Sequence, residues 1–126
     1  MKDITKYQGV IPAFYACYDE KGEISTEGVK ALTRHLISKG VKGVYVGGSS
    51  GECIYQHVDE RKKSAGSSHG RSKRKLTVIA HVGCNNTADS VNLRHMHRAL
   101  EQMRSLRFHQ FISIYRSMQS QNTGMQ

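Results

Sequence analysis

Two short runs, VKGVYV at 41–46 and KLTVIAHVG at 75–83, restrict the fold more than anything else in the chain. Both are rich in β-branched residues and too short for core helices, so each reads as a buried strand. Ahead of the first lies STEGVKALTRHLISKG, residues 25–40. Ser25 or Thr26 can cap it, Glu27 suits its positive end, and Gly40 stands at the C′ position. Val29, Leu32, Leu36 and Ile37 recur at helical spacing and form one apolar stripe. GVIPAFYACY, 9–18, reads as a further short strand leading into the turn DEKGE. VDERKK, 58–63, opens a second helix, and Asn86 or Thr87 can cap a third at ADSV. Strands alternating with helices predict an α/β fold with a parallel sheet.

The loop that leaves 41–46 is GGSSGE, Gly47 to Glu52. In α/β proteins the C-terminal ends of the strands are where chemistry is placed. A phosphate-binding P-loop needs Lys-Ser/Thr after its last glycine, whereas Gly51 is followed by Glu52 and Cys53. Three readings remain. The stretch fits a nucleophile elbow, G-x-S-x-G. It also fits an anion cradle, in which Ser49 and Ser50 hydroxyls and glycine-freed amides grip a carboxylate. The plainest alternative is a turn whose glycines supply positive φ and whose serine caps a helix.

The length of 126 residues suits one modest domain. There is no membrane-length apolar run and no signal peptide in MKDITKYQGV. Cys17, Cys53 and Cys84 are odd in number and widely spaced, which predicts reduced thiols and a cytoplasmic location. The net charge of +9 is unevenly spread. Residues 1–63 carry ten Lys/Arg against eight Asp/Glu, and residues 64–126 nine against two. The excess sits in SAGSSHGRSKR, 64–74, and in residues 92–126. The first has no apolar periodicity, so the helix opened at 58 is not expected to continue through it.

The stretches GVIPAFYACYDEKGEISTEGVKALTRHLISKGVKGVYVGGSSGE and KLTVIAHVGCNNTADSV resemble the N-terminal part of the N-acetylneuraminate lyases, within the dihydrodipicolinate synthase superfamily. The resemblance covers residues 1–63 and 75–91 and includes GGSSGE followed by ERKK. It implies the N-terminal portion of a (β/α)8 TIM barrel, about three β/α units and incomplete. It also implies a class I aldolase of sialic acid catabolism in the cytoplasm, cleaving N-acetylneuraminate to N-acetylmannosamine and pyruvate through a lysine Schiff base. No cofactor and no metal are implied, and the intact family is homotetrameric. Mapped by motif, Ser49 and Ser50 bind the pyruvate carboxylate, in a loop formed by Gly47, Gly48, Gly51 and Glu52. Glu52 is expected to fix the loop through backbone amides. The Schiff-base lysine belongs to a sixth strand beyond residue 126, so a chain of residues 1–126 is expected to be inactive.

Residues 64–74 and 92–126 depart from the family. Codons can be written for Ser64 to Arg74 that, read one base later, encode the amphipathic VLEAVMAEAK; a comparable shift accounts for 92–126. Both segments are therefore expected to be frame-displaced. Residues 1–91 then form a partial barrel domain, and 92–126 a basic, poorly ordered tail.

Other patterns weigh less. His81, Cys84, His95 and His97 match no standard zinc spacing. Arg94, Arg98, Arg104 and Arg107 with Phe108, Phe111 and Tyr115 imitate a nucleic-acid stripe, the alternative function being a basic binding module or a remnant without partners. Tyr45 and Tyr55 flank the loop and read as packing residues.

Overall fold

The computed structural model describes residues 4–72, 76–104 and 108–111. Four strands, β1 (Ala13–Phe14), β2 (Gly43–Val46), β3 (Thr77–His81) and β4 (Phe108–Phe111), lie side by side in chain order. Each neighbouring pair is parallel. The crossovers are α1 (Thr26–Ser38), α2 (Val58–Ser72) and α3 (Thr87–Arg104). Right-handed crossovers between successive neighbours put every helix on the same face of the sheet. Accordingly α1 packs on α2, and α2 on α3. This progressive winding is that of a barrel wall, not of a doubly wound sheet.

The register sorts the side chains. Val44 stands opposite Val78, and Val46 opposite Ala80 and Phe14. These residues are buried with Ile24, Val29, Ala65 and Leu76 beneath the helices. Burying each valine contributes about 1.5–3 kcal/mol. By the twofold strand period the opposite face carries Gly43, Tyr45, Thr77, Ile79 and His81.

The predicted signals of α1 are present. Ser25 Oγ accepts the Gly28 N–H at 3.0 Å, and Gly40 adopts φ +74° just past the last turn. Val29 is buried, and Leu32, Leu36 and Ile37 pack against the core. Asn86, rather than Thr87, caps α3, its Oδ1 accepting the Asp89 N–H at 2.8 Å.

Three expectations change. The strand expected over 9–18 is reduced to Ala13–Phe14, although Val10 O and Pro12 O still accept the Lys42 and Tyr45 N–H groups, each at 3.0 Å. Beyond it the chain turns, with Asp19 Oδ1 accepting the N–H groups of Lys21 (2.9 Å) and Glu23 (3.0 Å) before Tyr18 bridges Ile24. The helix expected to stop near Lys63 runs on to Ser72. Its buried face is Arg61, Ser64, Ala65 and Ser68, at i, i+3, i+4 and i+7. That is a helical stripe in which only Ala65 registers as apolar, so tertiary packing decides where propensity did not. Finally, α3 crosses position 91 without a break and buries Leu93 and His97. The backbone therefore shows no boundary between residues 91 and 92.

Candidate active-site loop

β2 delivers the loop directly. Gly47 takes φ +72°, turning the chain off the strand at a left-handed position that disfavours a side chain. Ser49–Gly51 forms one 3-10 turn, closed by Gly51 N–H to Gly48 O at 3.0 Å and Glu52 N–H to Ser49 O at 2.9 Å. Gly51 is buried, and a Cβ there would stand 2.8 Å from the Phe14 carbonyl oxygen. The loop thus lies flat across the end of β1. Ser49 and Ser50, by contrast, are exposed. Their amides begin the turn and have no carbonyl behind them within it. The loop therefore presents two hydroxyls and two N–H groups in sequence at the C-terminal end of the sheet.

Glu52 holds φ +59°, a left-handed conformation that costs a non-glycine residue about 1–2 kcal/mol. Its side chain does not bind the loop amides as expected. The carboxylate instead lies beside Tyr18, whose hydroxyl also accepts from Gln56 Nε2 at 3.2 Å. Burial, with the Glu52 carboxylate acting in the same direction, holds the Tyr18 phenol above its ordinary range. Gln56 Nε2 donates also to Gly51 O at 3.0 Å, tying the far end of the loop back on itself.

The residue that the sequence reading passed over is Arg61. It is 5% exposed, and its guanidinium reaches the ends of two strands. Nη1 donates to Gly83 O at 2.8 Å and to Cys84 Sγ at 3.0 Å. Nη2 donates to His81 O at 2.6 Å and to Gly47 O at 3.4 Å. His81 Nδ1 is 2.9 Å from Gly47 O and 3.2 Å from Arg61 Nη2. A carbonyl only accepts and a guanidinium only donates, so the shorter contact assigns the proton to Nδ1, donated to Gly47. Burial, followed by the charge of Arg61, lowers the His81 pKa against the opposing effect of the Gly47 bond. ERKK was noted as a motif, but nothing in the sequence shows which of its cations turns inward; helical spacing to Ser64 and Ser68 was the available signal.

Tyr45 lies against Gly48 and faces His81, ring centroids 6.1 Å apart. Tyr55 does not pack; it is 77% exposed. Cys17, Cys53 and Cys84 are free thiols. His95 is exposed while His97 is buried, so the two do not converge. Among the described residues no cluster of three His, Cys, Asp or Glu side chains is placed to hold a metal ion. Arg94 and Arg98 lie exposed on α3, whereas Arg107 and Tyr115 are outside the described residues. Among the described residues no helix is long and apolar enough to cross a membrane.

A helix-backed parallel sheet wound in chain order matches the N-terminal part of a TIM barrel. The profile of the Dihydrodipicolinate synthetase family matches residues 6–100, and the chain belongs to that family. It is 62% identical over 93 residues to an N-acetylneuraminate lyase of Mediterraneibacter gnavus, covering 74% of this chain and 30% of the relative. The Ruminococcus gnavus sialic acid aldolase, solved as a catalytic lysine mutant, superposes with a TM-score of 0.78 at 58% identity, over 79% of this chain and 33% of that one. A prophage protein of the dihydrodipicolinic acid synthase family from E. coli K12, solved in complex with pyruvate, gives a TM-score of 0.69 at 27% identity, over 73% and 31%. The chain thus spans about a third of the length of the relatives it matches. The match to residue 100 takes in 64–74 and part of the segment after 91.

Proposed function

We propose that residues 47–52 are the carboxylate-binding loop of an N-acetylneuraminate lyase, an aldolase cleaving a sialic acid to pyruvate and an N-acetylated amino sugar. The observation that carries the reading is the loop itself: exposed Ser49 and Ser50 on a turn anchored at the C-terminal end of β2. A carboxylate has two oxygens, each able to accept two hydrogen bonds, and hydroxyls with adjacent N–H groups complement it. Relatives named as sialic acid aldolases and a family member solved with pyruvate support the substrate class. The nucleophile-elbow reading loses support, since His81 donates its Nδ1 proton to Gly47 and, among the described residues, stands in no acid–histidine pair. In the Schiff-base route to carbon–carbon cleavage an amine condenses with the ketone, expelling water, and the protonated imine accepts the electron pair. The catalytic lysine named in the Ruminococcus gnavus enzyme suits that step.

The test is titration of the isotope-labelled chain with pyruvate at millimolar concentrations, followed by amide resonances. Shifts confined to Ser49, Ser50 and their neighbours, abolished by a Ser49→Ala/Ser50→Ala double substitution, are expected. Shifts scattered over the surface, or none at Ser49 and Ser50, would sink the reading.

The polar face of α2 supports a second proposal, that residues 64–74 and 92–126 are frame-displaced. The shifted reading VLEAVMAEAK places Val, Leu and Val at positions 64, 65 and 68, the positions of α2 after Arg61 that are buried among the described residues. Nucleotide sequence across codons 60–126 tests it: synonymous bases that do not permit the shifted reading exclude it.

A further inference from the structure

We infer that Arg61 is a positioning residue for the hydroxyl loop, an inference that rests on the carboxylate-binding reading of residues 47–52. Three independent segments meet on its guanidinium: the start of the loop at Gly47, the end of β3 at His81, and the following turn at Gly83 and Cys84. Gly47 is the residue at which the chain leaves β2, so its carbonyl sets the direction in which Ser49 and Ser50 project. That carbonyl receives hydrogen bonds from two side chains, Arg61 and His81. His81 is itself held through its own carbonyl by Arg61 at 2.6 Å. The hydroxyl loop is thereby keyed to the neighbouring strand through one side chain.

The chemistry demands arginine. A planar fork with five N–H donors spans carbonyls on separate strands, whereas a lysine ammonium is a point donor on a flexible stem. Among the described residues no carboxylate pairs with Arg61, and Nε is buried without a partner. An uncompensated guanidinium at 5% exposure is costly to bury unless its surroundings satisfy it. Here carbonyl dipoles from three residues do so, and each is thereby held in place. A surface role would leave Arg61 paired with an acid and exposed. A purely structural core role would be served by an apolar side chain, as at Ala65 in the same helix.

Two measurements on the full chain test the inference. In the unmodified protein, isotope-detected guanidinium resonances of Arg61 are expected to be resolved and slowly exchanging, as for a side chain locked at both Nη atoms. A single averaged Nη resonance would overturn the proposal without any substitution. In Arg61→Lys, hydrogen exchange at Gly51 and Glu52 is expected to accelerate at least tenfold, with Val29 and Tyr45 amides unchanged as reporters of α1 and β2. Unchanged exchange at Gly51 and Glu52, or equal acceleration everywhere, would overturn a positioning role. Pyruvate titration separates this from the underlying reading. If the unmodified chain shows no shift at Ser49 and Ser50, the carboxylate assignment fails whatever Arg61 does. If it shifts and Arg61→Lys weakens the response about tenfold with the loop loosened, both stand.

Discussion

His81 closes β3 with its Nδ1 2.9 Å from the Gly47 carbonyl and its ring half-buried between Tyr45 and Arg61. Burial and the neighbouring guanidinium depress its pKa below the usual value of 6.5. The folded chain therefore holds the ring neutral where the unfolded chain takes up a proton. The stability contributed is present above about pH 6.5 and is lost as pH falls through the lower folded value. Urea midpoints at about pH 7.5 and about pH 5.5 are expected to differ more for the natural chain than for His81→Gln, and equal differences would remove His81 as the cause. That His81 lies in a buried strand was legible in the sequence, since the run at 75–83 is rich in β-branched residues. That Arg61 lies against it was not. The two are twenty residues apart, and only the crossover from α2 to β3 brings them together.

At the scale of elements, α1 and α2 contrast. α1 carried every signal, from the Ser25 cap to the Gly40 stop, and the structure shows each. α2 hides its periodicity because serines occupy its buried face. Ser68 is fully buried, and its Oγ has no partner among the described residues. A hydroxyl removed from water without a hydrogen bond costs about 1–3 kcal/mol, so Ser68→Ala is expected to raise stability by about 1 kcal/mol. A denaturation midpoint that falls instead would show that the hydroxyl is bonded. α3 makes the complementary case. Leu93 is 0% exposed, so Leu93→Ala should lower stability by about 2–5 kcal/mol, while the neighbouring exposed Val91→Ala should change it little. Equal, small effects would mean that α3 does not pack past residue 91. An apolar residue at Leu93 and a histidine at His97 do not make a stripe by themselves. Hence the composition change at 92 read as a boundary, while α3 runs from Thr87 to Arg104 through it.

For the whole molecule, the sheet begins and ends on strands whose outer edges have no ladder partner among the described residues. Its face opposite the helices carries Tyr45, Ile79 and His81, side chains that a closed barrel would turn inward. Partial closure of this kind favours edge-to-edge association. Residues 1–126 are expected to release no pyruvate from N-acetylneuraminate, since they span only about a third of the length of the relatives. A coupled pyruvate assay above an empty-vector background would contradict this. The charge excess belongs at this scale too. Residues 64–74 and 92–126 hold most of it, yet their described part is helix and sheet strand, with only Arg94 and Arg98 described as exposed cations on α3.

By itself the sequence determined the alternation of strand and helix, the ends of α1, the family, and the glycine-serine loop that leaves β2. These are local properties, set by side-chain period, capping groups and the φ that glycine allows. The tertiary structure decided what depends on distant partners. It set the length of α2, the continuity of α3, the exposure of Tyr55, the turn of Glu52 toward Tyr18, and the inward fork of Arg61. Burial gives a serine or an arginine a role that its own chemistry does not announce, because the energy of a buried polar group is set by what surrounds it.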